Sequence, residues 1–334
     1  MLMRMSGQTQ LAAAIAALTL LSSAPVFAQR KNDNPLDHLP KNIEILTHFG
    51  ERADISPDNR RIAFMDKSFG DAFVIDLKTG AIRCLTCNVP GAAFLRVMHL
   101  VSGDYILIGP ARFSDIHTSR TKDNELWFLS RRPGAKPVAL GQRMSEGAAI
   151  SKKSMKISYS VTPAQDPSLP AGHSQLFVAD VDLSSSSARL INKRMVYESP
   201  SKACTIEAQN FFDSGRKMTF TCYEPGGLAS VMTIDLQNGH VENMSKMPGT
   251  YNECEGIYPD GLYTNVEADR QVNELGGKHG SGKDFKRLTY FNDYEGYKAS
   301  NPVVSTDGRF MAFQVAHPAD EAGVGYGILL YRFR

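Results

Sequence analysis

Excess charge is what this chain has least of. In 334 residues, 37 Lys and Arg stand against 35 Asp and Glu, a net charge of +2. Partners recognised through their phosphates need a basic footprint, so neither nucleic acid nor an anionic membrane is expected. Long apolar runs are scarce too. Past residue 28 no stretch approaches the ~20 apolar residues of a spanning helix, which excludes a membrane span there. No G-x-S-x-G elbow occurs, and with it goes the nucleophile of an α/β-hydrolase. The eight histidines (38, 48, 99, 117, 173, 240, 279 and 317) include no i, i+2 or i, i+4 pair, so their spacing announces no metal centre. Cysteine is sparse and odd in number, at five.

The one apolar run that exists, Leu11–Leu21, follows Arg4 and precedes Val26-Phe27-Ala28. That order of charged, apolar and small residues reads as a secretory signal peptide over 1–28, cleaved near Ala28. The expected mature protein is therefore periplasmic or secreted. Residues 29–41 read as a short linker, and 42–334 as one domain. An oxidising compartment permits disulfides. Cys204 and Cys222 flank the turn at Asp213–Gly215 almost symmetrically, as cross-strand partners would. Cys84 and Cys87 form a CxxC without the βαβ setting of a redox motif, which leaves a local disulfide or two thiols at a strand end.

What the chain has in abundance is a repeat. Ala53–Phe64 (ADISPDNRRIAF), His99–Gly109, Ala148–Ser160, Gln209–Thr221, Gly256–Val266 and Pro302–Gln314 each place an apolar run, a tight turn and a second apolar run. Aligned on the turn, Asn59, Gly103, Ser154, Gly215, Gly261 and Gly308 share a column, at spacings of 44, 51, 61, 46 and 47 residues. After each hairpin come further strand patterns, such as Asp71–Gly80 and Ala81–Thr86 in the first repeat. Four short strands per unit at this period predict a β-propeller of six four-stranded antiparallel blades. The last unit is one strand short. Asn42–Phe49 has the pattern of a fourth strand, and Asn42–Thr47 is expected to close the ring by completing that blade. In the fifth unit the third strand falls near Val272–Leu275.

SPDNRRIAF, YPDGLYT and STDGRFMAF resemble the repeat of the TolB-type, or PD40, WD40-like propellers of bacterial envelopes. The resemblance runs from Asn42 to the C-terminus and lacks the additional N-terminal α/β domain of TolB. It implies a periplasmic propeller that binds a partner protein. The expected function is thus a non-catalytic binding module for an envelope protein or glycan, acting as a monomer. The competing expectation is a metal-dependent polysaccharide lyase, similar to oligogalacturonate lyases, that uses the channel.

The first strand of each blade lines the central channel. Eight positions before the turn column stand Glu51, Leu95, Glu146, Glu207, Glu253 and Ser300. Four carboxylates at one level repel one another, and a bound cation relieves that cost. The alternative is that each pairs with a neighbour such as Arg52 or Arg96. His99, Glu255 and Asn301 lie in the same strands and complete the candidate channel set. No cofactor is required, and channel Ca²⁺ or Mn²⁺ is the one metal expectation. The loops Ala111–Asn124 and Thr162–Ser174 and the patch Tyr290–Tyr297 are candidate contact surfaces. Gly277–Asp284 nearly spells a phosphate-binding loop but has Asp284 where Ser or Thr is needed, and reads as a basic Gly-rich loop.

Overall fold

The computed structural model describes residues 30–333 apart from 186, 200–203, 246–250, 260–262, 268–271, 276–285 and 321–322, and gives the backbone alone for 263–267, 272–275 and 286. The leader at 1–28, the turn position Gly261 and the Gly277–Asp284 loop lie outside the described residues.

The architecture is an all-β propeller of four-stranded antiparallel blades. Strand β1 (Ile43–Ile45) comes first. The first blade is β2–β5 (Glu51–Ile55, Arg61–Met65, Ala72–Asp76, Ile82–Cys84), followed by β6–β9 (Arg96–His99, Tyr105–Pro110, Asn124–Leu129, Val138–Arg143). Next are β10–β13 (Ala148–Ile150, Lys156–Val161, Ser174–Asp182, Arg189–Ser199) and β14–β17 (Thr205–Phe212, Lys217–Glu224, Leu228–Asp235, Val241–Asn243). Then come β18–β21 (Asn252–Ile257, Tyr263–Glu267, Val272–Leu275, Lys286–Arg287) and β22–β24 (Lys298–Val304, Phe310–Ala316, Ile328–Arg332). Set against the expectation of six, five blades are described through their side chains. The remaining sheet, β18–β21, is paired strand to strand along its backbone.

Strand β1 pairs antiparallel with β24, Ile43 opposite Tyr331 and Ile45 opposite Leu329, so the last sheet reads β1-β24-β23-β22. The closing strand is shorter than its sequence pattern. Regular pairing stops at Ile45: the Leu46 and Thr47 amides both donate to the Ile328 carbonyl, at 2.9 and 3.2 Å, and the Thr47 hydroxyl accepts the Ile328 amide proton at 3.1 Å.

Period-2 alternation puts apolar side chains on both faces of the inner strands, and these meet between blades. Ile55, Ile62 and Phe64 of the first blade pack with Ala312, Ile328 and Leu330 of the last. Leu100, Ile106 and Leu126 pack with Ile157 and Tyr159 of the next blade. Each apolar side chain fully withdrawn from water contributes ~1.5–3 kcal/mol, and no blade buries its faces alone.

The turn column behaves as its residues dictate. Asn59, Gly103, Gly215 and Gly308 have φ of 58°, 85°, 82° and 69°, the left-handed region that Gly and Asn tolerate. A Cβ on Gly308 would meet Pro259 Cδ at 3.2 Å. Gly308→Ala is expected to cost about 1 kcal/mol, read as a lower urea midpoint at unchanged slope. An unchanged midpoint would show that this turn does not require the left-handed conformation.

Candidate functional site

At one end of the channel lies a charged cup of about 480 Å³. Its wall is built from the starts of the inner strands. Just after the carboxylate column, several of these strands bulge: register shifts fall between Glu51 and Asp54, Ala208 and Asn210, Cys254 and Gly256, and Ser300 and Val303. A bulge adds a residue to one strand and re-aims its side chains. The next column takes left-handed geometry in three blades, at Arg52 (53°), Gly147 (76°) and Asn301 (51°). For Arg52 that conformation costs on the order of 1–2 kcal/mol. It is held by the Arg52 amide donating to Gln314 Oε1 of the last blade at 2.7 Å. Gly147 is the only residue type that fits its position, because an added Cβ would collide with Glu207 Oε1.

The predicted channel residues converge here with one exception. Glu51, Arg52, Arg96, Glu146, Glu207, Glu253, Glu255 and Asn301 all line the cup. Arg52 lies 3.5 Å from Glu51 and 3.4 Å from Glu146. Arg96 Nη2 lies 3.5 Å from Glu207 Oε1. Asn301 Nδ2 donates to Glu255 Oε1 at 2.7 Å. Leu95 fills its place in the column as fully buried core.

His99 is the exception. It stands four residues further along its strand, roughly 13 Å at 3.3 Å per residue, and does not line the cup. Its Nδ1 and its backbone N–H both meet Asp54 Oδ2, at 2.8 and 2.7 Å, while Lys152 Nζ donates to Asp54 Oδ1 at 2.6 Å. Burial holds the His99 imidazole below its ordinary pKa, so it is neutral. Asp54 is the residue that ties three blades together, through His99 and Lys152, and His99 is no part of the cup.

Several cup residues escaped the repeat alignment, Asp320 and His317 among them. Arg120 reaches in from the helical turn Ile116–Asp123 and donates through Nε to Glu146 Oε2. The long loop had been singled out as a contact surface, and its role is to deliver this guanidinium. Tyr223 comes from β15 and Tyr251 from just before β18, while Lys298 opens β22. Tyr251, Glu253 and Glu255 share one face of their strand, as do Lys298 and Ser300. Alternation about the carboxylate column therefore carried the signal for Tyr251 and Lys298.

The electrostatics are set by burial. Desolvation, reinforced by Glu146 and Glu253, pushes the Glu207 carboxyl up to about 8. Burial and then Glu253 raise Glu255 well above the carboxylate range. For Glu146 burial acts in the same sense, yet Arg52 and Arg120 outweigh it and hold the group below its ordinary value. Carboxylates interleaved with guanidiniums do not make a cation cage. Among the described residues, the group of three acidic, Cys or His ligand atoms close enough to share an ion is Asp71, Cys84 and Cys87. Its cysteines are joined to each other as a disulfide. The cup's donor set therefore does not fit the Ca²⁺ or Mn²⁺ expectation.

Cys204 and Cys222 form the second disulfide, between β14 and β15 beside the cup. Cys254 is buried and free, and burial pushes its thiol up to about 12, so it is inert at neutral pH.

No family model and no curated protein matches the chain. Solved structures do match. TolB from Acinetobacter baumannii superposes with a TM-score of 0.53 at 12% identity, covering 90% of this chain and 66% of that one. Regucalcin from Agrobacterium tumefaciens, a calcium-binding protein, gives 0.54 at 10% identity, covering 86% and 94%. A gluconolactonase from Xanthomonas campestris gives 0.55 at 10% identity, covering 91% and 94%. Among the described residues no helix is long and apolar enough to cross a membrane. At these identities the likeness is one of fold, and the fold is a TolB-like β-propeller.

Proposed function

We propose that the chain is an exported, six-bladed binding module that recognises an envelope protein or glycan at the cup and performs no chemistry of its own. The observation that carries this reading is hydrogen-bonding capacity left over inside the cup. Glu207 Oε1, Glu255 Oε2 and Arg96 Nε are buried side-chain atoms without a hydrogen-bond partner, and all three residues line one cavity. Buried polar groups are almost always satisfied. A rigid wall that leaves three of them open suits a ligand that completes them. The two disulfides and the leader-like N-terminus support an oxidising, exported setting.

The test is capture from envelope extract on the immobilised mature chain, beside Arg120→Ala and Glu255→Gln. A partner retained by the parent and lost by both folded variants is the expected result. A partner retained equally by all three overturns the cup as the binding site.

A further inference from the structure

A second cluster of reactive side chains stands on the first blade, and none of its members lines the cup. Asp71 directly precedes β4, Cys84 ends β5, the last strand of its sheet, and Cys87 follows in the turn that leaves that strand. One ligand atom from each of the three lies within 4.8 Å of the other two. Cys84 and Cys87 are joined as a disulfide. Cys87 is exposed, and Asp71 and Cys84 are half-buried, so a reductant and an ion both have access.

Bonds other than the disulfide hold the cluster. The Leu85 amide donates to the Ala72 carbonyl at 2.7 Å, which folds the turn back over the start of β4. The fully buried Thr86 hydroxyl accepts the Ala72 amide proton at 2.9 Å and gives its own proton to Asp71 Oδ1 at 2.6 Å. That contact fixes one carboxylate oxygen and aims the other, as hydrogen bonds to ligating carboxylates do in metal sites. Asp66 adds a second acid behind it, its Oδ1 accepting the Asp71 amide proton at 2.8 Å. The Cys87 amide donates to Cys84 Sγ at 3.0 Å, a contact that favours a thiolate there.

We infer that Asp71, Cys84 and Cys87 form a redox-gated zinc site, in which the disulfide and the ion are alternative states of one cluster. Two thiolates and a carboxylate are a donor set for tetrahedral Zn²⁺, with water in the fourth position. Thiolates bound at about 2.3 Å stand about 3.8 Å apart. Cysteines whose Cα atoms are 5.8 Å apart reach that spacing by rotating their side chains. The switch needs a dithiol reductant. One of its thiolates attacks the exposed Cys87 Sγ and expels the Cys84 thiolate; its second thiolate then displaces Cys87 and closes the reductant into its own disulfide. Two electrons and two protons pass to the protein. Zn²⁺ then replaces the two thiol protons, which leave to water. Oxidation reverses the sequence and ejects the ion.

The test uses the mature chain reduced with a phosphine and then freed of reagent. One Zn²⁺ per chain is expected to survive desalting, against none for the oxidised chain, and Cd²⁺ should give the ultraviolet band of thiolate-to-metal charge transfer. Zn²⁺ is expected to slow alkylation of Cys84 and Cys87 at least about tenfold and to leave that of Cys204 and Cys222 unchanged. Asp71→Asn should weaken Zn²⁺ binding at least about tenfold. Cys84→Ser and Cys87→Ser should each abolish retention, with melting temperatures showing that the variants fold. No Zn²⁺ on the reduced chain, equal retention by the oxidised one, protection of Cys204 and Cys222 instead, or unchanged affinity in Asp71→Asn overturns the assignment.

Discussion

Replacing Asp54 with Ala is expected to destabilise the protein by about 3–5 kcal/mol, the largest effect of any single side chain outside the apolar core. The carboxylate takes the His99 backbone N–H and ring Nδ1 on one oxygen and Lys152 Nζ on the other. Asp54 belongs to the first blade, His99 to the second, and Lys152 follows the first strand of the third. Its removal strands two buried N–H donors and one part-buried ammonium, and the desolvation cost of each falls due at once. Burial raises the Asp54 carboxyl, but Lys152 and His99 hold it below 3.8, its ordinary value. A depressed folded-state pKa contributes stability above the unfolded value that is lost as pH falls through the folded one. The deficit of Asp54→Ala should therefore be full at pH 7 and shrink below about pH 3.8. Asp54→Asn keeps an acceptor and should cost less. Urea midpoints at pH 7 and pH 3 decide it. A deficit of the same size at both means that the charge of Asp54 contributes nothing.

Glu207→Gln is expected to act in the opposite sense, stabilising the chain by about 2–4 kcal/mol at pH 9 and hardly at all at pH 4.5. Burial, with Glu146 and Glu253, moves Glu207 from 4.5 to about 8. Between those values the native state holds a proton that the unfolded chain has released, so stability falls as pH rises through that window. Above it the cost is constant. An amide has the shape of the protonated acid, can donate to Tyr223 as the acid does, and never ionises. The parent midpoint should decline from pH 4.5 to pH 9 relative to the variant. Parallel curves across that range would show that Glu207 ionises normally in the fold.

The legibility of this protein follows from which features recur. The turn column marks where each inner strand ends, and counting back eight residues reached Glu51, Glu146, Glu207 and Glu253, all in the cup. The inner strands run from 3 to 8 residues, yet the distance from turn to column holds, so one offset served the four blades that carry a carboxylate. The same offset could not say what the carboxylates face. Arg52 and Arg96 stand beside the column, but the other partners come from outside the repeat: Arg120 from an insertion and Tyr223 from a second strand. Pairing across blades depends on ring geometry, which no local spacing encodes. A cation site and pairing with Arg52 or Arg96 were both open from the sequence, and the structure has the ion pairs. His99 illustrates the complementary error. Being on an inner strand does not put a side chain at the mouth, because four residues along a strand separate one end of the channel from its interior. The closing strand was legible because the last repeat lacked one and the first segment had its pattern. Its short extent was not, since Leu46 and Thr47 share the carbonyl of Ile328, a residue 281 positions from Thr47.

The junction of β1 with β24 has a consequence for biosynthesis. A strand near the start of the sequence takes as its neighbour one near its end; Glu44 and Arg332, joined by a side-chain contact, are separated by 288 residues. Nothing synthesised in between substitutes for that neighbour, so β1 stays unpaired until β24 has been made. Contacts of such sequence separation form slowly. Removal of Ile328–Arg332 would leave β1 without its neighbour and open one edge of the β22–β23 pair.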